Sequence, residues 1–140
     1  MGPIIIEEVF DAPIEKVWKA LTNKEEMKNW YFDLSEFKAE VGFEFSFTGQ
    51  GHSGETYVHL CKITEVIPLK KIQYSWQYKH LDGYSLVTFE LKNKANKTIV
   101  TLTHSGLDSF PKDHQDFRKD SFKGGWTMLL TKFLADYLKN

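Results

Sequence analysis

A single cysteine, Cys61, stands among the 140 residues, so the chain can close no internal disulfide and cannot build a cysteine-based zinc site. A reducing compartment fits, and a cytoplasmic location is expected. Long apolar runs are equally scarce. Ile4, Ile5 and Ile6 are cut short by Glu7 and Glu8, and no other stretch reaches the length of a membrane span, so no membrane insertion is expected. Charge of one sign is lacking too: 18 basic residues face 19 acidic ones, for a net charge of -1. Arg118 is the only arginine, which removes most capacity for bidentate contacts to phosphate or guanine, and no nucleic-acid partner is expected.

Motifs of metal and nucleotide chemistry are missing as well. The histidines His52, His59, His80, His104 and His114 have no H-E-x-x-H spacing and no compact carboxylate cluster beside them, so neither a metal nor another cofactor is expected. Gly49, Gly51 and Gly54 have G-x-G-x-x-G spacing, but no βαβ unit surrounds them as a dinucleotide fingerprint requires; they read as a turn. Asn96-Lys97-Thr98 has the form of a glycosylation acceptor but reads as a strand-connecting turn.

What is present is the composition of a packed domain: 41% hydrophobic residues, 26% charged, and an aromatic share of 15%. One domain over residues 1–140 is expected, with no linker or internal repeat. Pro3 to Phe10 reads as a strand. Asp11 can cap and Pro13 can open a helix carrying Ile14, Val17, Trp18 and Leu21 at helical spacing. Thr22 and Glu25 have capping-box spacing for a second short helix that buries Met27 and Trp30. Residues 31–41 read as loop. Phe43, Phe45 and Phe47 alternate in the next strand. Residues 55–67 form another, with either Tyr57, His59 and Cys61 or Val58 and Leu60 facing inward. Ile72, Tyr74, Trp76 and Tyr78 share one face of the following strand; Asp82-Gly83 turns the chain into Val87, Phe89 and Leu91, and the last strand carries Val100, Leu102 and His104. After Pro111 the spacing becomes helical through Trp126, Leu129, Leu130, Phe133, Leu134, Tyr137 and Leu138, with Gly124 and Gly125 marking either a kink or a close backbone approach. Sheet and helix each have one apolar face, so the helix should lie across the sheet. The expected class is α+β, a curved antiparallel sheet wrapped around a long C-terminal helix, with two short helices after the first strand.

Several strings then carry a resemblance. "FDAPIEKVWKALTNKEEMKNW" from Phe10 to Trp30, "EVIPLKKIQYSW" from Glu65 to Trp76, "THSGL" from Thr103 to Leu107 and "GWTMLLTKFLADYL" from Gly125 to Leu138 occur in the order seen in Hsp90-ATPase-activator-like domains of the START/Bet v 1 helix-grip superfamily. The chain resembles that family over nearly its whole length. The resemblance implies a helix-grip cradle with an apolar cavity between sheet and long helix, and a small hydrophobic or aromatic molecule as ligand. It also brings an Hsp90-type chaperone as a second candidate partner, although nothing here resembles the separate N-terminal chaperone-binding domain of the full co-chaperone. Cyclase- or dehydratase-like catalysis is a third reading.

Candidate cavity residues are Trp30, Tyr57, His59, Trp76, Tyr78, Phe89, His104 and Trp126, since an aromatic wall with a few polar groups suits such a ligand. Each could equally be plain core. His104 is the most informative: either it orients a ligand or it is a neutral histidine bonded within the core. Ser105 cannot form a dyad with it, because neighbours on a strand point to opposite faces. Lys112, Lys119 and Lys123 are expected to keep the last helix soluble or to guide an acidic ligand.

Overall fold

The computed structural model describes residues 2–51, 53–111 and 113–139. Six strands form one antiparallel sheet in the order β1-β6-β5-β4-β3-β2, made of β1 (Ile4–Phe10), β2 (Glu44–Gln50), β3 (Thr56–Ile67), β4 (Lys71–Tyr78), β5 (Ser85–Lys94) and β6 (Lys97–Ser105). Strands β2 to β6 are consecutive neighbours, while β1 returns to pair with β6, Ile4 opposite His104 and Phe10 opposite Thr98. Between β1 and β2 lie the short helices α1 (Ile14–Thr22) and α2 (Lys24–Trp30).

α1 buries Ile14, Val17, Ala20 and Leu21. Its start is Pro13, with no side-chain cap; Asp11 does not cap it, a correction to the sequence reading. The expected Thr22–Glu25 capping box is displaced by one residue. Asn23 ends α1 and accepts from the Glu26 backbone N–H to start α2, while Thr22 is still helical and its hydroxyl donates to the Trp18 carbonyl.

Pairing settles the register of β3. Phe47 lies opposite His59 and Phe45 opposite Cys61, and the two phenylalanines are inward, so His59, Cys61 and Ile63 are buried and Leu60 is exposed. A bulge between Ile63 and Glu65 then shifts the pairing with β4. On β4 all four of Ile72, Tyr74, Trp76 and Tyr78 are buried.

The C-terminal helix begins as α3 (Lys119–Met128), passes through a π-helical turn at Leu129–Leu134 and closes as α4 (Ala135–Leu138). Its buried residues are Phe122, Trp126, Leu130, Leu134 and Leu138, one every fourth position. In a regular α-helix such a stripe would drift by about 40° per step; a wider turn in mid-helix absorbs part of the drift and keeps the stripe on the sheet. Phe133, expected in the apolar stripe, falls beside it and is 44% exposed. Gly124 and Gly125 do not mark a close backbone approach, since a Cβ added at either would meet nothing within 4 Å.

Gly106, after β6, has φ +84, and an added Cβ would lie 2.8 Å from the Tyr84 carbonyl oxygen. Gly106→Ala is expected to lower stability by about 1–3 kcal/mol, read as a shift of the urea midpoint at unchanged m-value.

Candidate functional site

Where the sheet and α3 diverge, near the ends of β2, β3 and β4, a cleft of about 350 Å³ remains. Tyr57 and His59 from β3 and Trp76 and Tyr78 from β4 form its sheet wall. Phe122, Gly125, Trp126 and Leu129 form the helix wall. Phe32, from the segment after α2, and Asp116 and Phe117, from the loop before α3, close the sides, and Gly49, Gln50, Gly51 and Ser121 complete the lining. Aromatic rings interlock around it: His59 stacks on Phe47 at 4.4 Å between centroids, Trp76 meets His59 at 4.8 Å and Trp126 at 5.4 Å, and Phe117 packs on Tyr57 and Tyr78.

Five of the eight residues expected from sequence therefore line this cleft: Tyr57, His59, Trp76, Tyr78 and Trp126. Three do not. Trp30 is 3% exposed and spends its indole N–H on the Ala20 carbonyl at 2.8 Å, tying α2 to α1. Phe89 is core between Tyr74 and Trp126. His104 is fully buried behind the cleft wall.

The hydrogen bonds of His104 settle its tautomer. Trp126 Nε1–H donates to Nδ1 at 3.0 Å, so the ring proton sits on Nε2, which donates to Ser85 Oγ at 2.9 Å, and Ser85 in turn donates to the Trp76 carbonyl at 2.9 Å. A relay from α3 through β6 and β5 to β4 satisfies every member. Burial lowers the His104 pKa to about 3, so the ring is neutral. Of the two readings open for it, the structure favours the bonded core histidine.

His59 faces the cleft. Its Nδ1 lies 3.2 Å from the Tyr57 carbonyl and therefore carries the proton it donates there. Burial lowers its pKa to about 4, outweighing the Tyr57 and Phe47 carbonyls, which favour the protonated ring. The hydroxyl of Tyr57 donates to Asp116 Oδ2 at 2.7 Å, and burial together with that carboxylate raises its pKa. Trp76 Nε1–H donates to the Tyr78 hydroxyl at 2.9 Å, whose pKa burial also raises. Behind the wall the Tyr31 and Tyr74 hydroxyls share a bond of 2.7 Å.

Among the described residues the lining carries no lysine or arginine, so Lys119 and Lys123 have no place in the wall. His52 and Lys112 lie outside the described residues. Sequence reasoning missed Phe32, Asp116 and Phe117 because they sit in segments without period, and Gly125 because a glycine in a helix signals only weakness. It also missed a cluster at the cleft mouth, where Glu55, His114 and Asp116 come together, contrary to the expectation of no carboxylates around the histidines. Among the described residues no helix is long and apolar enough to cross a membrane.

The family model for Activator of Hsp90 ATPase homolog 1-like protein matches residues 11–139. A search of curated proteins found no match. Among solved structures, protein MLL2253 of Mesorhizobium loti is 28% identical with a TM-score of 0.79, over 98% of this chain and 96% of that one. Protein CV1439 of Chromobacterium violaceum is 20% identical with a TM-score of 0.81, over 99% and 97%. CalU16 of Micromonospora echinospora is 22% identical with a TM-score of 0.75, over 97% and 75%. At these identities the last two establish the fold alone, and that fold is the helix-grip cradle.

Proposed function

Because the chain belongs to the family of Activator of Hsp90 ATPase homolog 1-like proteins, we propose that it binds one small hydrophobic or aromatic molecule, without transforming it, in the cleft between β2–β4 and the C-terminal helix. The observation that carries this reading is the cleft itself: its volume of about 350 Å³ lies in the range of small-molecule sites, and its wall is built mainly of aromatic rings with a few polar edges. Rings fixed by their own hydrogen bonds lose little freedom on binding, so stacking on them retains most of its gain. Neutral His59 and the Tyr78 hydroxyl supply polar edges that orient a planar ligand. Among the described residues no lining cation is there to pair with a carboxylate-bearing ligand.

Cyclase- or dehydratase-like catalysis loses its leading residue, since His104 is spent on Trp126 and Ser85 and does not border the cleft. A chaperone-binding role would work through the outer surface and leaves the aromatic wall unexplained.

Gly125→Leu tests the reading. Gly125 lines the cleft, and an added Cβ meets nothing within 4 Å, so the variant should fold, with helix propensity adding up to about 1 kcal/mol. Its side chain enters the ligand's space. Titration of a panel of planar aromatic and polyketide-like compounds, followed by tryptophan fluorescence, should give saturable binding to the wild type and at least about tenfold weaker binding to Gly125→Leu. Equal affinity in both would move the ligand out of this cleft.

A further inference from the structure

Glu55, just before β3, and His114 and Asp116, in the loop before α3, are far apart in sequence and meet beside the cleft. One ligating atom from each lies within 4.8 Å of the others. His114 Nε2 is 3.1 Å from Glu55 Oε2, and its Nδ1 is 3.6 Å from Asp116 Oδ2. The same Nδ1 accepts the Asp116 backbone N–H at 3.1 Å, so in the neutral ring the proton is on Nε2 and serves Glu55. That N–H takes up the Nδ1 lone pair, so Asp116 Oδ2, itself an acceptor, gains no hydrogen bond from this ring nitrogen of the neutral ring. A second observation is independent of these bonds. The remaining oxygen of Glu55, Oε1, is buried and has no hydrogen-bond partner among the described residues. Buried polar atoms are nearly always satisfied, and an orphan carboxylate oxygen beside a second carboxylate calls for a cation or an ordered water.

We propose that Glu55, His114 and Asp116 form a binding site for a single divalent transition-metal ion at the mouth of the cleft. The donor set selects the class. One imidazole and two carboxylates with no thiolate suit borderline ions such as Zn²⁺ or Co²⁺; Mg²⁺ and Ca²⁺ prefer oxygen alone, and Cu⁺ needs sulfur. Glu55 and His114 are each partly exposed, which gives the ion an entry path. Metal–ligand bonds near 2.0–2.2 Å require the three side chains to turn inward, with one His114 nitrogen exchanging its present hydrogen bond for the ion. Tyr57, whose hydroxyl donates to Asp116 Oδ2, holds that carboxylate in place from outside the donor set. Asp116 is shared with the cleft lining, but the metal site does not depend on which molecule fills the cleft.

Untagged full-length protein, stripped with chelator and dialysed against Zn²⁺, tests it by metal analysis, calorimetry and thermal shift. The expected result is one Zn²⁺ per chain with a raised Tm, and Co²⁺ should give a visible ligand-field spectrum. Glu55→Gln and His114→Ala should each weaken binding by at least about tenfold, whereas Glu90→Gln, exposed on β5 opposite Lys71 at the far end of β4, should not. Glu55→Gln preserves shape, so it decides the matter if the histidine variant folds poorly. No stoichiometric uptake by the wild type, or uptake undiminished in both cluster variants, overturns the site and leaves the three residues as a hydrogen-bonded latch.

Discussion

Trp126→Ala is expected to cost about 3–5 kcal/mol of stability through lost burial and the void left behind. Trp126 is 3% exposed and its ring touches four aromatic neighbours, Tyr31 at 6.0 Å, Trp76 at 5.4 Å, Phe89 at 5.9 Å and His104 at 5.9 Å. A further penalty of about 1–3 kcal/mol follows from leaving His104 Nδ1 buried without a donor. Trp126→Phe separates the two, because it keeps most of the ring and removes only the N–H; its cost should be close to the smaller figure. Trp76→Ala should cost less than Trp126→Ala: both border the cleft, but the Trp76 indole serves the Tyr78 hydroxyl, which can still donate, whereas loss of Trp126 leaves a buried ring nitrogen without a donor. The wild type and the three variants compared by urea unfolding would show this order. A Trp126→Ala protein as stable as the wild type would mean that the relay and the ring cluster contribute nothing to folding.

Acid should weaken the fold before carboxylates are engaged. His104 titrates at about 3 and His59 at about 4 in the folded chain, both lowered from 6.5 by burial. As pH falls below about 6.5 the unfolded chain takes up protons that the folded chain refuses, so protons favour unfolding and stability declines with pH. Between pH 7 and 5 the two residues together should remove on the order of 3–4 kcal/mol, and the loss should continue until the folded values of about 4 and 3 are reached. His104→Gln can still accept from Trp126 and donate to Ser85. It should retain the fold and show about half of this pH dependence. Unchanged slopes in wild type and variant would contradict the neutral, buried His104.

The fold was legible in the sequence because its periods are strong. Tyr74, Trp76 and Tyr78 alternate without interruption, and the family strings span the chain in order. β3 was ambiguous for a definite reason: Tyr57 and Cys61 alternate with Val58 and Leu60, so both faces look apolar, and only pairing with Phe45 and Phe47 decides between them. Phe133 was misplaced because a regular 3.6-residue period cannot anticipate a π-helical turn. His104 was correctly expected to face inward, yet whether it met a ligand or a partner depended on Ser85 and Trp126, whose distances no pattern encodes. Phe32, Phe117 and the Glu55–His114–Asp116 cluster come from loops, where position is set by the packing of distant elements rather than by local spacing.

The central claim is that the cleft holds a small molecule. Native mass spectrometry of wild type and Gly125→Leu, both purified gently from the original host, tests it most directly. A discrete small hydrophobic adduct on the wild type that is absent from Gly125→Leu is the result this structure predicts. Repeated recovery of both proteins at the bare chain mass, with no thermal shift across a broad lipid and aromatic panel, would contradict it.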